Sequence, residues 1–376
     1  MWTSIGVIIY TYLGYPITVG LASRFFGKTV EKAPIFPSIT VIIAAKNEET
    51  TIENKIINIL ESDYPVELID IIVVSDGSTD QTNNIVKKYK RRNVNLINYP
   101  ISMGKAFALN KGVAKANGDI IVFADARQQF DKYALKELVA NFNDSTVGAV
   151  SGELHLISNE ANSSSEGVGL YWKYEKFIRR SESLIHSSVG ATGAIYAIRR
   201  KLYSLLPQYT ILDDFIVPMR IVQQGYRVIF DAKAKAYDKI FNKSKQEFAR
   251  KVRTLAGNFQ SFAMIPELFN PVRTKVAFQL FSHKFLRLIV PYLVLLVFGI
   301  NFFLLAKPIY MVTMLFQITF GVLAIMGLIT ENKKYSNKIS RLCYTFILLN
   351  LAAIVGFIKF STKSYSDVWK KAIEIS

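Results

Sequence analysis

The stretch Ile71-Ile-Val-Val-Ser-Asp-Gly-Ser-Thr-Asp-Gln-Thr82 decides the fold. Four β-branched residues run together without a polar break, the pattern of a strand covered on both faces. The run ends abruptly at Asp76, Gly77 and Ser78, and Thr79 or Asp80 then caps a helix over residues 80–89. A carboxylate at the end of a buried strand needs something to hold. The neighbouring chain repeats the unit: residues 39–45, 94–98 and 120–124 read as strands, and residues 49–60 and 105–115 as helices. Strands and helices alternating at this spacing predict an α/β fold with a parallel sheet and helices on both faces. In such sheets ligands gather beyond the carboxyl ends of the strands. Three strands end in polar clusters, Ala45-Lys-Asn-Glu-Glu49, Ser75-Asp-Gly-Ser-Thr79 and Ala124-Asp-Ala-Arg-Gln128. A parallel sheet puts all three on one rim, where the following helices point their N-terminal amides, a seat for anions.

The chain has 376 residues, of which 51% are hydrophobic, and the apolar ones are bunched. Residues 2–22, 288–305, 309–330 and 342–358 are long enough to cross a bilayer, which takes about 20 apolar residues. No basic residue precedes the first span, so it lacks the charged start of a cleaved signal peptide. Arg24, Lys28 and Lys32 follow it, which places the large domain in the cytoplasm by the positive-inside rule. The loop 331–341, with Lys333, Lys334, Lys338 and Arg341, returns to that side and sends the C-terminal tail outside. Lys359, Lys363, Lys370 and Lys371 strain the rule there, so the fourth span also reads as re-entrant or interfacial. The resulting division is a first membrane helix (1–23), a linker with Pro34 and Pro37, and a globular domain (34–240). Amphipathic interface helices (241–287), membrane helices (288–361) and a tail (362–376) complete it. Within the interface segment, residues 278–287 form an amphipathic helix at the membrane surface, with His283, Lys284 and Arg287 at the headgroups.

The net charge of +17 suits anionic lipid and a phosphorylated substrate, so no nucleic-acid partner is inferred. The run Lys87-Lys-Tyr-Lys-Arg-Arg92 reads as the solvated end of a helix. One cysteine, Cys343, excludes a disulfide framework and a thiolate metal site. The spans hold almost no ionisable residues, which speaks against a transporter.

Further motifs lie along the globular part. Gly104-Lys105 opens a helix, Gly190-Ala-Thr-Gly-Ala194 is a loop of small residues, and Leu212-Asp-Asp-Phe215 sets two carboxylates before a helix over 216–224. Between 244 and 262, Phe248, Val252, Leu255, Phe259 and Phe262 form one helical stripe, and Arg250, Arg253 and Gly257 another. Two guanidiniums at i and i+3 suit a diphosphate lying against the helix. In this order the motifs resemble family 2 glycosyltransferases with the GT-A fold. More narrowly they resemble membrane-bound bacterial members related to poly-N-acetylglucosamine, hyaluronan and cellulose synthases. The likeness runs from Tyr12-Leu-Gly-Tyr-Pro16 to the region of Trp369.

The resemblance implies a GT-A (Rossmann-like) nucleotide-sugar domain inserted between one N-terminal and about three C-terminal transmembrane helices. It implies that Ala45, Asn47 and Glu48 line the nucleoside pocket. Asp76 then accepts a hydrogen bond from the base edge, with Gly77 letting the backbone approach and Ser78 beside it. Lys105 meets a phosphate as a point charge. Asp125 stands where the family has the first carboxylate of Asp-x-Asp, and is implied to bind a magnesium or manganese ion or to hold sugar and ribose hydroxyls. Arg127 replaces the second carboxylate; it pairs with the diphosphate, or locks Asp125 or Asp213 by a salt bridge. Thr192, Gly193 and Ala194 neighbour the acceptor. Asp214 is implied to be the base that takes the acceptor proton, with Asp213 as the neighbour that raises its pKa. Arg253 matches the arginine of Gln-x-x-Arg-Trp, and Thr254 replaces the tryptophan on which processive relatives stack the acceptor sugar.

The expected activity is inverting transfer of a sugar from a nucleotide donor, UDP-linked by the resemblance, to a membrane-associated glycan or polyprenyl-linked acceptor in cell-surface polysaccharide synthesis. The expected place is the bacterial inner membrane, with the catalytic domain cytoplasmic and partner proteins for export. The alternatives are a processive synthase that translocates its own product, and a non-catalytic nucleotide-binding scaffold.

Overall fold

The computed structural model describes residues 1–157, 164–239, 244–330 and 337–363. Lys333, Lys334, Trp369, Lys370 and Lys371 lie outside them, as do residues 241–243. The helices are α1 (Trp2–Phe26), α2 (Ile52–Leu60), α3 (Thr82–Lys87), α4 (Lys105–Lys115), α5 (Ala134–Ala140) and α6 (Ser164–Ile185). They continue with α7 (Asp213–Gln223), α8 (Ser244–Met264), α9 (Ala277–Phe303), α10 (Pro308–Ile329) and α11 (Lys338–Ser361).

Strands β1 (Ile39–Ala45), β2 (Ile69–Asp76), β3 (Val94–Tyr99) and β4 (Ile120–Ala124) form a parallel half-sheet in the order β3-β2-β1-β4. Their unbroken apolar runs follow from two-sided burial. Val41 and Ile43 face a core shared with Ile56 and Ile59 of α2, whereas Ile42, Ile72 and Val74 face a second core with Leu109 of α4 and Ile216 of α7. Each β-branched residue therefore packs on one side or the other, and none is left for solvent.

The rest of the sheet departs from the parallel expectation. β7 (Ile195–Arg199) runs antiparallel to both β4 and β6 (Val147–Ile157). β8 (Arg227–Lys239) is parallel to β6 and antiparallel to the short β5 (Gln129–Phe130). The sheet is thus mixed, eight strands in the order β3-β2-β1-β4-β7-β6-β8-β5. The consequence is positional. An antiparallel β7 begins where β4 ends, with Ile195 opposite Ala124, so the small-residue loop 190–194 arrives on the polar rim beside Asp125.

Four helices, α1, α9, α10 and α11, are long and apolar enough to cross a membrane, and mark an integral membrane protein. Large side chains such as Leu315 and Phe316 of α10 are bare, a surface that lipid rather than water accepts. One expectation is corrected here. Residues 278–287 are the first turns of α9, but His283 and Arg287 do not face headgroups: His283 is wholly buried and Arg287 turns to Glu175. The His283 Nδ1 lies 2.7 Å from Glu182 Oε1 and its Nε2 3.0 Å from Glu175 Oε1. Arg287 donates to Glu175 Oε2 at 2.9 Å, and the Tyr15 hydroxyl of α1 donates to Glu182 Oε1 at 2.6 Å. Two buried carboxylates on α6 must be paired, because an unpaired buried charge costs several kcal/mol. The side chains of His283 and Arg287 turn inward to do so, and with Tyr15 they tie α1, α6 and α9 together. At the other end, Phe357 and Phe360 of α11 pack on Phe259 of α8 with ring centroids 5.1 and 6.0 Å apart. The C-terminal half of α11 therefore packs against α8.

Candidate active site

The polar rim is stitched together before any ligand is considered. Asn47, at φ 54, accepts the Thr79 amide on Oδ1 at 2.9 Å. The Glu48 amide donates to Thr82 Oγ1 at 2.8 Å, so the turns after β1 and β2 form one unit. Glu48 is half-buried, and burial lifts its pKa, with Thr51 and Arg127 opposing. Asp76 answers its own question locally. Its carboxylate accepts from the Ser102 hydroxyl at 2.7 Å and the Met103 and Gly104 amides at 2.6 and 2.8 Å. Three donors on about four acceptor positions hold the turn that launches α4. Gly77 has a positive φ of 72°, and a Cβ there would lie 2.7 Å from the Ser102 amide nitrogen, so glycine is required where this turn closes over the strand end. The strand-end carboxylate thereby aims the first residue of α4, Lys105.

Lys105 is the hub of the site. Its Nζ lies 3.0 Å from Asp125 Oδ1 and 3.3 Å from Asp213 Oδ1. Burial works against the ammonium, but the fields of Asp125, Asp213 and Asp214 outweigh it and hold its pKa above the usual lysine range. Asp213 is buried and accepts from the Tyr196 hydroxyl of β7 at 3.3 Å. The two aspartates occupy the first turn of α7 rather than preceding it, where the helix dipole favours negative charge. Asp214 lies against the 190–194 loop: its carbonyl accepts the Ala191 amide at 2.7 Å, and a Cβ on Gly193 would sit 2.8 Å from its Oδ2. Only glycine leaves that carboxylate room. Burial and then the Asp213 charge push Asp214 up to about 6, with Lys105 and Arg179 pulling the other way. Arg253, partly buried on α8, feels Asp213, Asp125 and Asp214 together. Asp125, Asp213, Asp214, Lys105 and Arg253 are one electrostatic unit.

Other residues sit elsewhere than read. Arg127 forks onto Asp238 of β8, with Nε 3.1 Å from Oδ1 and Nη2 2.7 Å from Oδ2, and Gln128 donates to the same carboxylate at 2.9 Å. The expected lock on Asp125 or Asp213 is corrected to one on Asp238. The reason is the β5–β8 pairing, which sets Gln129 opposite Tyr237 and brings Asp238 alongside. Arg250 is solvent-exposed one turn from Arg253, so the two guanidiniums differ in environment. Thr192 is buried; its Oγ1 donates to the Gly152 carbonyl at 2.8 Å and accepts from Arg179 at 3.1 Å. Ala194 is buried at the start of β7 and Ala45 at the end of β1. Sequence reading missed Arg179, Tyr196, Asp238 and Lys55. Lys55 is wholly buried under the rim, donating to the Gln128 carbonyl at 2.8 Å and lying 3.3 Å from the centre of the Phe130 ring. A lysine on the apolar face of an amphipathic helix was the only signal for it.

Residues 40–206 match the family described as Glycosyl transferase family 2. The chain carries a glycosyltransferase family 2 domain. It is 26% identical over 274 residues to a Bacillus subtilis protein named "Probable glycosyltransferase YdaM", covering 70% of this chain and 65% of that one. It is 26% identical over 269 residues to the poly-beta-1,6-N-acetyl-D-glucosamine synthase of Staphylococcus aureus, covering 69% and 64%. The chain thus spans just under two thirds of these relatives' length. In fold it is similar to the mannosyltransferase PcManGT of Pyrobaculum calidifontis, solved with GDP-Man and Mn2+, at a TM-score of 0.73 and 23% identity over 95% of this chain and 97% of that one. The mixed sheet is therefore a GT-A-type arrangement, with one apolar helix before the glycosyltransferase domain and three after it.

Among the described residues no three His, Cys, Asp or Glu side chains gather as a metal cage. A magnesium or manganese ion in a glycosyltransferase needs fewer, since one or two carboxylates and the substrate's phosphates suffice. Asp125, 39% exposed on the rim, is the carboxylate that would supply one; its Oδ1 is paired with the Lys105 ammonium at 3.0 Å, so an ion brought in with a diphosphate would share that carboxylate with the lysine.

Arg179 gives the first testable outcome. It bonds Thr192 and lowers the pKa of Asp214 without occupying the first turn of α7. Arg179→Met should move the acid limb of a kcat/KM profile upward from about 6, a several-fold loss at acidic pH that closes at higher pH. A uniform loss at all pH values would mean that Arg179 only packs.

Proposed function

We propose that this domain transfers a sugar, with inversion, from a nucleoside-diphosphate donor to a hydroxyl of a membrane-associated glycan or lipid-linked acceptor. The observation that carries the reading is the cluster in which Asp214, pushed up to about 6, adjoins Asp213, whose carboxylate lies 3.3 Å from Lys105, with Arg253 in the field of both aspartates. An inverting transfer needs a base on the acceptor side and positive charge on the leaving diphosphate side. Asp214 takes the acceptor proton as that oxygen attacks the anomeric carbon. A group with this pKa is mostly ionised at neutral pH yet is a better base than an ordinary aspartate. Lys105 and Arg253 stabilise the charge that gathers on the departing nucleotide. Tyr196 keeps its proton because burial and then the Asp213 and Asp214 charges raise its pKa, so it orients Asp213 as a neutral donor. A divalent ion held by Asp125 would add Lewis-acid neutralisation at the diphosphate. Asn47, Glu48 and the turn closed by Asp76, Gly77 and Ser78 form the side on which the nucleoside is read.

The acceptor side is the loop Thr192-Gly193-Ala194, flanked by α6 and α8, both of which pack against apolar helices. That supports a lipid-linked or membrane-held acceptor, and Arg24, Lys28 and Lys32 after α1 support a cytoplasmic domain on an inner membrane. Single addition is favoured over processive synthesis because Thr254 offers no ring to stack a sugar; its Oγ1 donates back to the Arg250 carbonyl at 3.0 Å. The polysaccharide synthase named among the relatives is what keeps the processive reading second. A donor screen in detergent tests both, reading released nucleoside diphosphate from UDP- and GDP-sugars with and without manganese, and product length on a gel. Release from one donor class, stimulated by metal, is the expected result. No release from any donor across added lipid acceptors would leave only a nucleotide-binding scaffold.

A further inference from the structure

A second polar concavity lies far from the reacting groups. It is a cavity of ≈ 230 Å³ whose lining includes Lys28, Lys32, Asn141, Arg180, Asp231 and Lys233. Its wall runs along the start of β8, where Ile229, Phe230 and Asp231 line it. Its last lining residue on that strand, Lys233, precedes Asp238 of the active-site rim by five residues, or about 17 Å at the usual rise. The cavity therefore takes no part in the transfer chemistry.

Its charge is unbalanced. Four bases and one carboxylate line it, for a net +3. The carboxylate is already spoken for: Lys32 bridges Asp231, at 2.6 Å, and Glu137, while Asn141 donates to Asp231 at 2.7 Å. Lys28, Arg180 and Lys233 have no carboxylate within ion-pair distance among the described residues.

Its position supplies the partner. Phe25 and Phe26, the last residues of α1, are each 74% exposed. Two bare phenylalanines ending a membrane helix belong at the lipid boundary, and Lys28 comes two residues later. That residue is not loose, since its amide donates to the Leu184 carbonyl at 2.7 Å and its carbonyl accepts from Arg227 at 3.0 Å. The cavity is thus held rigidly at the level where α1 leaves the bilayer. A concavity of surplus positive charge at headgroup depth is complementary to a lipid phosphate, and cations near an anionic leaflet each contribute about fivefold in binding.

We propose that this cavity binds the phosphate of an anionic phospholipid headgroup through Lys28, Arg180 and Lys233, and so fixes how the glycosyltransferase domain sits on the membrane. The proposal does not depend on the transfer reaction, and its test reads lipid rather than turnover. The full chain is placed in nanodiscs of phosphatidylcholine alone or mixed with phosphatidylglycerol. Retained lipid is counted by native mass spectrometry after gentle extraction, and the thermal inactivation temperature is measured in parallel. The wild type is expected to retain phosphatidylglycerol selectively and to be stabilised by it. The combined Lys28→Gln, Arg180→Gln, Lys233→Gln variant should lose that selectivity by roughly a hundredfold, and the Lys28→Arg, Lys233→Arg variant should keep it. Arg180→Gln alone, an exposed change that leaves the backbone contacts of Lys28 intact, should give a partial loss and guards against misfolding of the triple variant. Equal phosphatidylglycerol retention by wild type and the neutralised variants would overturn the proposal. So would full stabilisation by glycerol phosphate or inorganic phosphate without anionic lipid, which would assign the cavity to a soluble anion.

Discussion

Asp214→Asn is expected to lower kcat for sugar transfer by about 10³-fold, within the range a positioned general base supplies, while leaving nucleotide binding close to wild type. The substitution keeps the shape beside Gly193 and removes only the ability to accept a proton. The pH dependence has a definite sign. Asp214 must be ionised to act, so wild-type kcat/KM should rise with pH through about 6, and the variant should lose that limb. Stability should move the other way. The folded-state pKa of this carboxyl lies above its unfolded value, because burial and Asp213 disfavour the charge. Its favourable contribution is therefore complete below about pH 4 and lost as pH rises through about 6. At neutral pH the ionised group costs the fold on the order of 1–2 kcal/mol after allowance for its partial exposure. The asparagine variant should then inactivate at a higher temperature than wild type near pH 7 and at about the same temperature near pH 4. A variant that is both inactive and less stable at neutral pH would mean that Asp214 is a structural cap of α7 and not a base.

Lys105→Met should produce the second large effect. Its ammonium touches Asp125 and Asp213 and lies in the field of Asp214. Removing it leaves three carboxylates facing each other, with Arg253 as the compensating charge on α8 and Arg179 on α6. The expected result is a fall in kcat/KM of about 10²–10³, the scale of losing one preorganised charge at a leaving group. The acid limb should also move above its wild-type position, since Lys105 lowers the pKa of Asp214. Breaking the pair should further destabilise the domain by about 3 kcal/mol. Lys105→Arg restores the charge but not the compact geometry, so it should recover the pH limb better than the rate. Wild-type pH dependence in Lys105→Met would separate this lysine from the base.

The parts of the site that were legible in the sequence share one property: they are local. An apolar run that stops at a carboxylate and a glycine announces the rim. A glycine followed by a lysine opens α4, and α4 spans the predicted residues. Adjacent carboxylates before an apolar helix mark α7. Each is a short-range conflict between burial and charge that a reader can locate without coordinates. Asp238, Tyr196 and Arg179 carried no such mark, because each is remarkable only through its partner. Asp238 follows Arg127 by more than a hundred residues, and they meet because β5 pairs with β8. His283 looked like a headgroup residue because its helix is amphipathic. It is buried because two carboxylates on α6 demanded partners.

The linear order of residues, by itself, determined that there would be buried strands ending in a polar rim, four apolar helices, and a pair of adjacent carboxylates, Asp213 and Asp214, at a helix start. Those outcomes follow from hydrophobic periodicity and local turn chemistry, which are written along the chain. Only the tertiary structure decided the direction of β7, the partner of Arg127, the inward turn of His283 and the gathering of Lys105 between two strand ends and a helix start. Strand direction and long-range ion pairing depend on which surfaces close against each other in three dimensions, and neither periodicity nor spacing encodes that.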